Sequence, residues 1–69
     1  MITNYTVTGM TCGHCVAHVT EEVSALDGVQ DVTVTLQDGA MAVTSDQELD
    51  FEAISQAISE AGDYSVTKA

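Results

Sequence analysis

Positive charge is almost absent from these 69 residues: Lys68 is the only basic side chain against eleven carboxylates, a formal net charge of −10. A field of that sign makes nucleic acid and anionic lipid surfaces poor partners. A basic docking face would be attracted, and less so as salt rises. Long apolar runs are absent too. Nothing approaches the roughly 20 consecutive apolar residues of a membrane-spanning helix, and the N-terminus lacks the basic-then-apolar layout of an export signal. The expectation is a free-standing cytoplasmic protein with no nucleic-acid partner and no direct membrane binding.

Aromatic residues are few, only Tyr5, Phe51 and Tyr64, so Val, Ile, Leu, Ala and Met must build the core. Length is a further limit. A chain of this size buries only about 60% of its unfolded surface on folding, which leaves little room for an enclosed substrate pocket. A single domain, 1–69, and no enzymatic turnover are therefore expected. Proline is missing altogether, and cysteine occurs only twice, as Cys12 and Cys15. In a reducing compartment two cysteines at this spacing point to metal binding or redox chemistry rather than to a structural staple.

What is present reads in an ordered way. Ile2 to Thr8 alternates Tyr5 and Val7 against Asn4, Thr6 and Thr8, a strand pattern that Gly9 ends. The loop Met10 to Gly13 follows. From His14 the period becomes helical, with Val16, Val19, Val23 and Leu26 on one face and Glu21 and Glu22 toward solvent, and Asp27-Gly28 stops it. Val32, Val34 and Leu36 then alternate with Asp31, Thr33 and Thr35, predicting a strand buried on one side. Gln37-Asp38-Gly39 carries the Asp-Gly pair of a tight hairpin, and Ala40 to Thr44 returns with Met41 and Val43 inward. A second helix repeats the spacing of the first at Phe51, Ile54, Ile58 and Ala61 and is closed by Gly62. Tyr64 to Thr67 form a last strand. The order β-α-β-β-α-β predicts an α+β, ferredoxin-like fold: a four-stranded antiparallel sheet with both helices on one face.

The two sulfurs thus sit where a loop becomes a helix. Backbone N–H groups and the positive end of the helix dipole favour thiolate over thiol there. Adjacent thiolates open to solvent form a soft site that selects Cu(I) and also accepts Zn(II), Hg(II), Ag(I) or Cd(II). His14 lies between the cysteines and His18 one helical turn further on. With the cysteines they would suit a Cys2His or Cys2His2 zinc site, or they are simply exposed helix residues.

Met10-Thr11-Cys12-Gly13-His14-Cys15, placed between a first strand and a helix in a chain of this order, resembles the heavy-metal-associated domain family and, at this length, its bacterial cytosolic copper chaperones. The resemblance runs over essentially the whole chain, including the Val29 to Leu36 strand and the Ala61-Gly62 helix end. It implies that Cys12 and Cys15 bind one Cu(I) between two thiolates. It also implies transfer to a copper-transporting P-type ATPase whose own metal-binding domain has the same fold and motif. In the family the methionine at Met10 packs beneath the loop, as befits a gap-filling side chain, and Thr11 and Gly13 shape it. His14 stands where bacterial copper chaperones often have histidine; it tunes the thiolates, joins as an auxiliary ligand in a copper-bridged dimer, or is a bystander to a monomer. Tyr64 resembles the aromatic that the family sets close to the metal loop. Asp63 stands between Gly62 and Tyr64, where the family more often has the two adjacent, so Tyr64 either screens the site or packs in the last strand.

Three other readings compete. Cys12-Gly13-His14-Cys15 also matches the active-site tetrapeptide of protein disulfide isomerases, but thioredoxin-like domains are longer, order their strands differently and set a cis-proline opposite the cysteines. A zinc carrier of this fold tends to have an acidic residue where Thr11 stands, and mercury carriers are usually exported. A module within a larger ATPase or reductase would have the same sequence features.

Overall fold

The computed structural model describes all residues from Met1 to Ala69 and contains six elements: β1 (Ile2–Thr8), α1 (Gly13–Ser24), β2 (Val29–Val34), β3 (Ala40–Ser45), α2 (Phe51–Ala61) and β4 (Ser65–Lys68). This is the expected order. The strands make one antiparallel sheet in the spatial order β2-β3-β1-β4. The first strand is therefore central, with Tyr5 opposite Met41 on one side and Lys68 on the other.

Alternation along each strand determines what the sheet buries. Tyr5 and Val7 of β1 and Met41 and Val43 of β3 face Val19 and Val23 of α1 and Ile54, Ala57 and Ile58 of α2, forming a core of nine buried residues. Burying each of the larger of these side chains stabilises the fold by roughly 1.5–3 kcal/mol. Phe51 and Ala61 of α2 are half-buried at the core's margins, as is Leu26, expected on α1 but lying just beyond its end; Val16 of α1 is half-buried without packing on the core. Glu22, expected in solvent, is half-buried beside the groove between the helices. No helix is long and apolar enough to cross a membrane.

The β2–β3 connection departs from the expected tight hairpin. β2 leaves the sheet after Val34, and Leu36 is 39% exposed rather than inward. Thr35 N–H donates to the Ala40 carbonyl at 2.8 Å and Gly39 N–H to the Thr35 carbonyl at 2.9 Å, so the chain reverses through a wider turn. Gly39 (φ +72°) is essential to it: a Cβ there would run into the Val7 carbonyl oxygen.

Helix ends differ in detail from the sequence pattern. α1 closes on Ala25, whose N–H bonds the Val23 carbonyl, and Gly28 (φ +85°) belongs to the turn that follows. α2 is capped at its start by the Asp50 carboxylate, which accepts from Glu52 N–H at 3.1 Å. Tyr64 precedes β4 rather than opening it.

Candidate metal centre

Cys12 is the N-cap of α1. Its backbone is extended, and its carbonyl accepts the N–H groups of Cys15 at 3.1 Å and Val16 at 3.4 Å, closing the first turn. Its side chain makes no capping bond and points free, because a sulfur in place of a serine or aspartate oxygen is a weak acceptor. Cys12 is exposed and Cys15 half-buried, and their sulfurs lie 3.7 Å apart.

The two thiols are not equivalent. Cys15 is lowered from the ordinary thiol value to about 6, chiefly by the Thr11 backbone N–H and then by the Tyr64 hydroxyl, with burial opposing and the backbone and sulfur of Cys12 adding smaller effects. The Thr11 hydroxyl lies 3.9 Å from the same sulfur. Tyr64 is shifted upward, first by its interaction with Cys15, then by burial and by the charge of the two cysteines. At neutral pH Cys15 is thus mainly thiolate, the form that binds metal and exchanges ligands.

The remaining candidates separate clearly. Met10 is half-buried and packs against the core. Tyr64 is half-buried and packs against the core ahead of β4. His14 and His18 are exposed, and His18 lines an open cleft of about 310 Å³ with Glu21, Glu22, Glu60 and Ala61. No three side chains among His, Cys, Asp and Glu gather as a metal site. The Cys2His and Cys2His2 zinc arrangements are therefore not assembled: His14 sits one residue from Cys15 and so about 100° around the helix. The pair of sulfurs stands alone. What sequence reasoning did not find is the use of Thr11 as a donor to sulfur and of Gly9 as a seat for Tyr64; a glycine between strand and loop was the only signal for the latter.

The family model described as heavy-metal-associated domain matches residues 4–63. The chain belongs to the heavy-metal-associated domain family. Among its relatives, the copper chaperone CopZ of Bacillus subtilis is 41% identical over 63 residues, 90% of this chain and 90% of the relative. Copper-transporting ATPase 2 of Rhizobium meliloti is 38% identical over 60 residues, 87% of this chain. The chain spans only 7% of the length of its P-type ATPase relatives. A solved CopZ metallochaperone superposes with a TM-score of 0.86 at 31% identity, covering 97% of this chain and all of the other. In the heavy-metal-associated fold of this chain the two sulfurs sit where a loop meets a helix N-terminus, not in a cavity.

Proposed function

We propose that this chain is a cytoplasmic copper chaperone that holds Cu(I) between Cys12 and Cys15 and passes it by ligand exchange to the metal-binding domain of a copper-transporting P-type ATPase. The observation that carries the reading is the pair of sulfurs 3.7 Å apart at the protein surface, with no third ligand gathered around them. Soft thiolates in low coordination number suit a monovalent soft ion, whereas structural zinc takes four ligands. Kinship with copper chaperones and with ATPase domains of the same family supports both the cargo and the recipient.

Two-coordinate Cu(I) leaves room for an incoming sulfur, so transfer runs through three-coordinate intermediates without releasing the ion. Cys12, exposed and without a hydrogen bond to the protein beyond its neighbour's sulfur, is the first thiolate to yield; Cys15 is the anchor. The carboxylates, eleven against one lysine, favour a recipient with a basic face and a docking step that weakens with salt. The protein travels as a monomer, and copper bridges two copies only through the exposed Cys12 edge, with His14 beside it.

Anaerobic titration of the reduced protein with Cu(I) against a competing chelator, repeated with Zn(II), tests the reading. One Cu(I) per chain or per pair, held far more tightly than Zn(II), is expected. Binding of Zn(II) in preference to Cu(I) would move the protein to zinc carriage. Failure to bind either, with ready cycling of a Cys12–Cys15 disulfide, would make it a thiol oxidoreductase.

A further inference from the structure

Asp27 and Asp38 are the aspartates followed by glycine, Gly28 and Gly39. A backbone nitrogen can attack the carboxyl carbon of the preceding aspartate and close a five-membered succinimide ring, and glycine, with no side chain beside that nitrogen, obstructs the attack least. The folded chain treats the two sites in opposite ways. Gly39 is buried, and its N–H donates to the Thr35 carbonyl at 2.9 Å. The Asp38 carboxylate accepts from Ala40 N–H at 3.1 Å, which holds it past the nitrogen it would have to meet. Val7 N–H fixes the Gly39 carbonyl from the central strand. Asp27 and Gly28, between α1 and β2, have none of these restraints. Both are exposed, and neither the Gly28 N–H nor the Asp27 carboxylate has a hydrogen-bond partner. Nothing lies within 4 Å of where a Gly28 Cβ would stand, and the pair lines an open cleft of about 280 Å³ beside Asp46 and Glu48, so there is room for the ring. One long bond closes this turn, from Val29 N–H to the Leu26 carbonyl at 3.3 Å.

We propose that Asp27-Gly28 is a modification site, where the folded protein isomerises through a succinimide to an isoaspartyl link, while Asp38-Gly39 is protected by its turn. The Gly28 nitrogen bonds the Asp27 carboxyl carbon as it gives up its proton and the carboxyl gives up hydroxide, so one water leaves. Water then adds back at the ring carbonyl that belonged to the backbone. The C–N bond that breaks is the original peptide bond, and the one that remains runs through the former side chain. Nothing is oxidised or reduced, and the water lost is the water regained. The product has one extra methylene in its backbone and a free α-carboxylate, the grouping that an isoaspartyl carboxyl methyltransferase esterifies. That methylene falls where the Gly28 carbonyl accepts Asp46 N–H at 3.0 Å and where Val29 starts β2 opposite Ser45. The twelve residues of α1, about 18 Å, separate it from Cys12. The change therefore loosens the α1–β2 turn and leaves the sulfurs as they are, whatever ion they carry.

The test holds the reduced, metal-free full chain warm at neutral pH for several weeks. Isoaspartate is read by methyl transfer from radiolabelled S-adenosylmethionine with a purified isoaspartyl methyltransferase. Digestion with endoproteinase Asp-N, which cuts before aspartyl but not isoaspartyl residues, locates it. Methyl incorporation should grow with time, and the cut before Asp27 should be lost about thirtyfold faster than the cut before Asp38, the size of the two hydrogen bonds that Gly39 and Asp38 must first give up. Asp27→Glu, whose ring would need six members, should lose nearly all incorporation, and Asp38→Glu should keep it. In concentrated urea, where the turns are gone, the two sites should react at similar rates. Equal rates in the folded chain, earlier loss of the cut at Asp38, or undiminished incorporation in Asp27→Glu overturns the proposal. So does a folded chain that stays unmodified while the urea-unfolded one reacts, because the α1–β2 turn would then protect Asp27 as well.

Discussion

Cys12 Sγ stands 3.7 Å from Cys15 Sγ across the first turn of α1. A disulfide needs about 2.05 Å, whereas two metal–thiolate bonds of about 2.3 Å span at most about 4.6 Å. The loop thus holds its sulfurs near the separation a shared ion needs, and neither sulfur belongs to the core.

Replacing either cysteine by serine should nearly abolish Cu(I) retention and leave the fold intact. Chelator competition read beside circular dichroism checks both halves of that statement; a single-cysteine variant binding as tightly as wild type would refute bis-thiolate ligation. His14→Ala should change affinity only modestly, and a loss as large as that of a thiolate would promote His14 to a ligand.

The depressed Cys15 thiol carries a pH signature. Its folded value, about 6, lies below the ordinary 9.0, so between these values the unfolded chain binds the extra proton and stability rises with pH. The contribution is fully present above about pH 9 and is lost as pH falls through about 6. Denaturation midpoints of the metal-free protein should therefore climb over this window more steeply in wild type than in Cys15→Ser. Parallel curves would show that the thiolate is not held in the folded state.

Tyr5 is 1% exposed, yet its hydroxyl has no hydrogen-bond partner, and burial pushes its phenol upward. Its ring packs 6.3 Å from that of Phe51. Tyr5→Phe keeps the ring and removes the orphan oxygen, so it should be neutral or stabilising by up to about 1 kcal/mol. Thermal unfolding would register this as a rise of up to about 4–8 °C, and a clear drop would mean that the hydroxyl is satisfied.

Gly39→Ala should cost about 2 kcal/mol or more, since it forces a left-handed backbone on an L-residue and drives its Cβ against the Val7 carbonyl oxygen. Val7 N–H also donates to the Gly39 carbonyl at 2.8 Å, tying the turn to the central strand. A melt within 2 °C of wild type would show that the turn relaxes freely.

The architecture was legible because its signals are local. Val19 and Val23, and Ile54 and Ile58, fall on the faces their spacing assigns, and Tyr5, Val7, Met41 and Val43 alternate inward as their strands require. Leu36 was misplaced because alternation continues through Thr35 and Leu36 although the chain has already left the sheet, and the reason, Gly39 meeting Val7, joins residues distant in sequence. The cysteine pair was legible from three-residue spacing at a helix start. The packing of Gly9 against Asp63 and Tyr64 was not, because it joins the end of β1 to residues from the far end of the chain.

The central position of β1 also sets an order of assembly. Its partners β3 and β4 lie far along the chain, with Tyr5 opposite Lys68, so the sheet closes through non-local contacts, the slow kind. During synthesis Cys12 and Cys15 are made roughly fifty residues before the last strand. The sulfur pair is thus complete in sequence long before β3 and β4 close the sheet on which its loop is mounted.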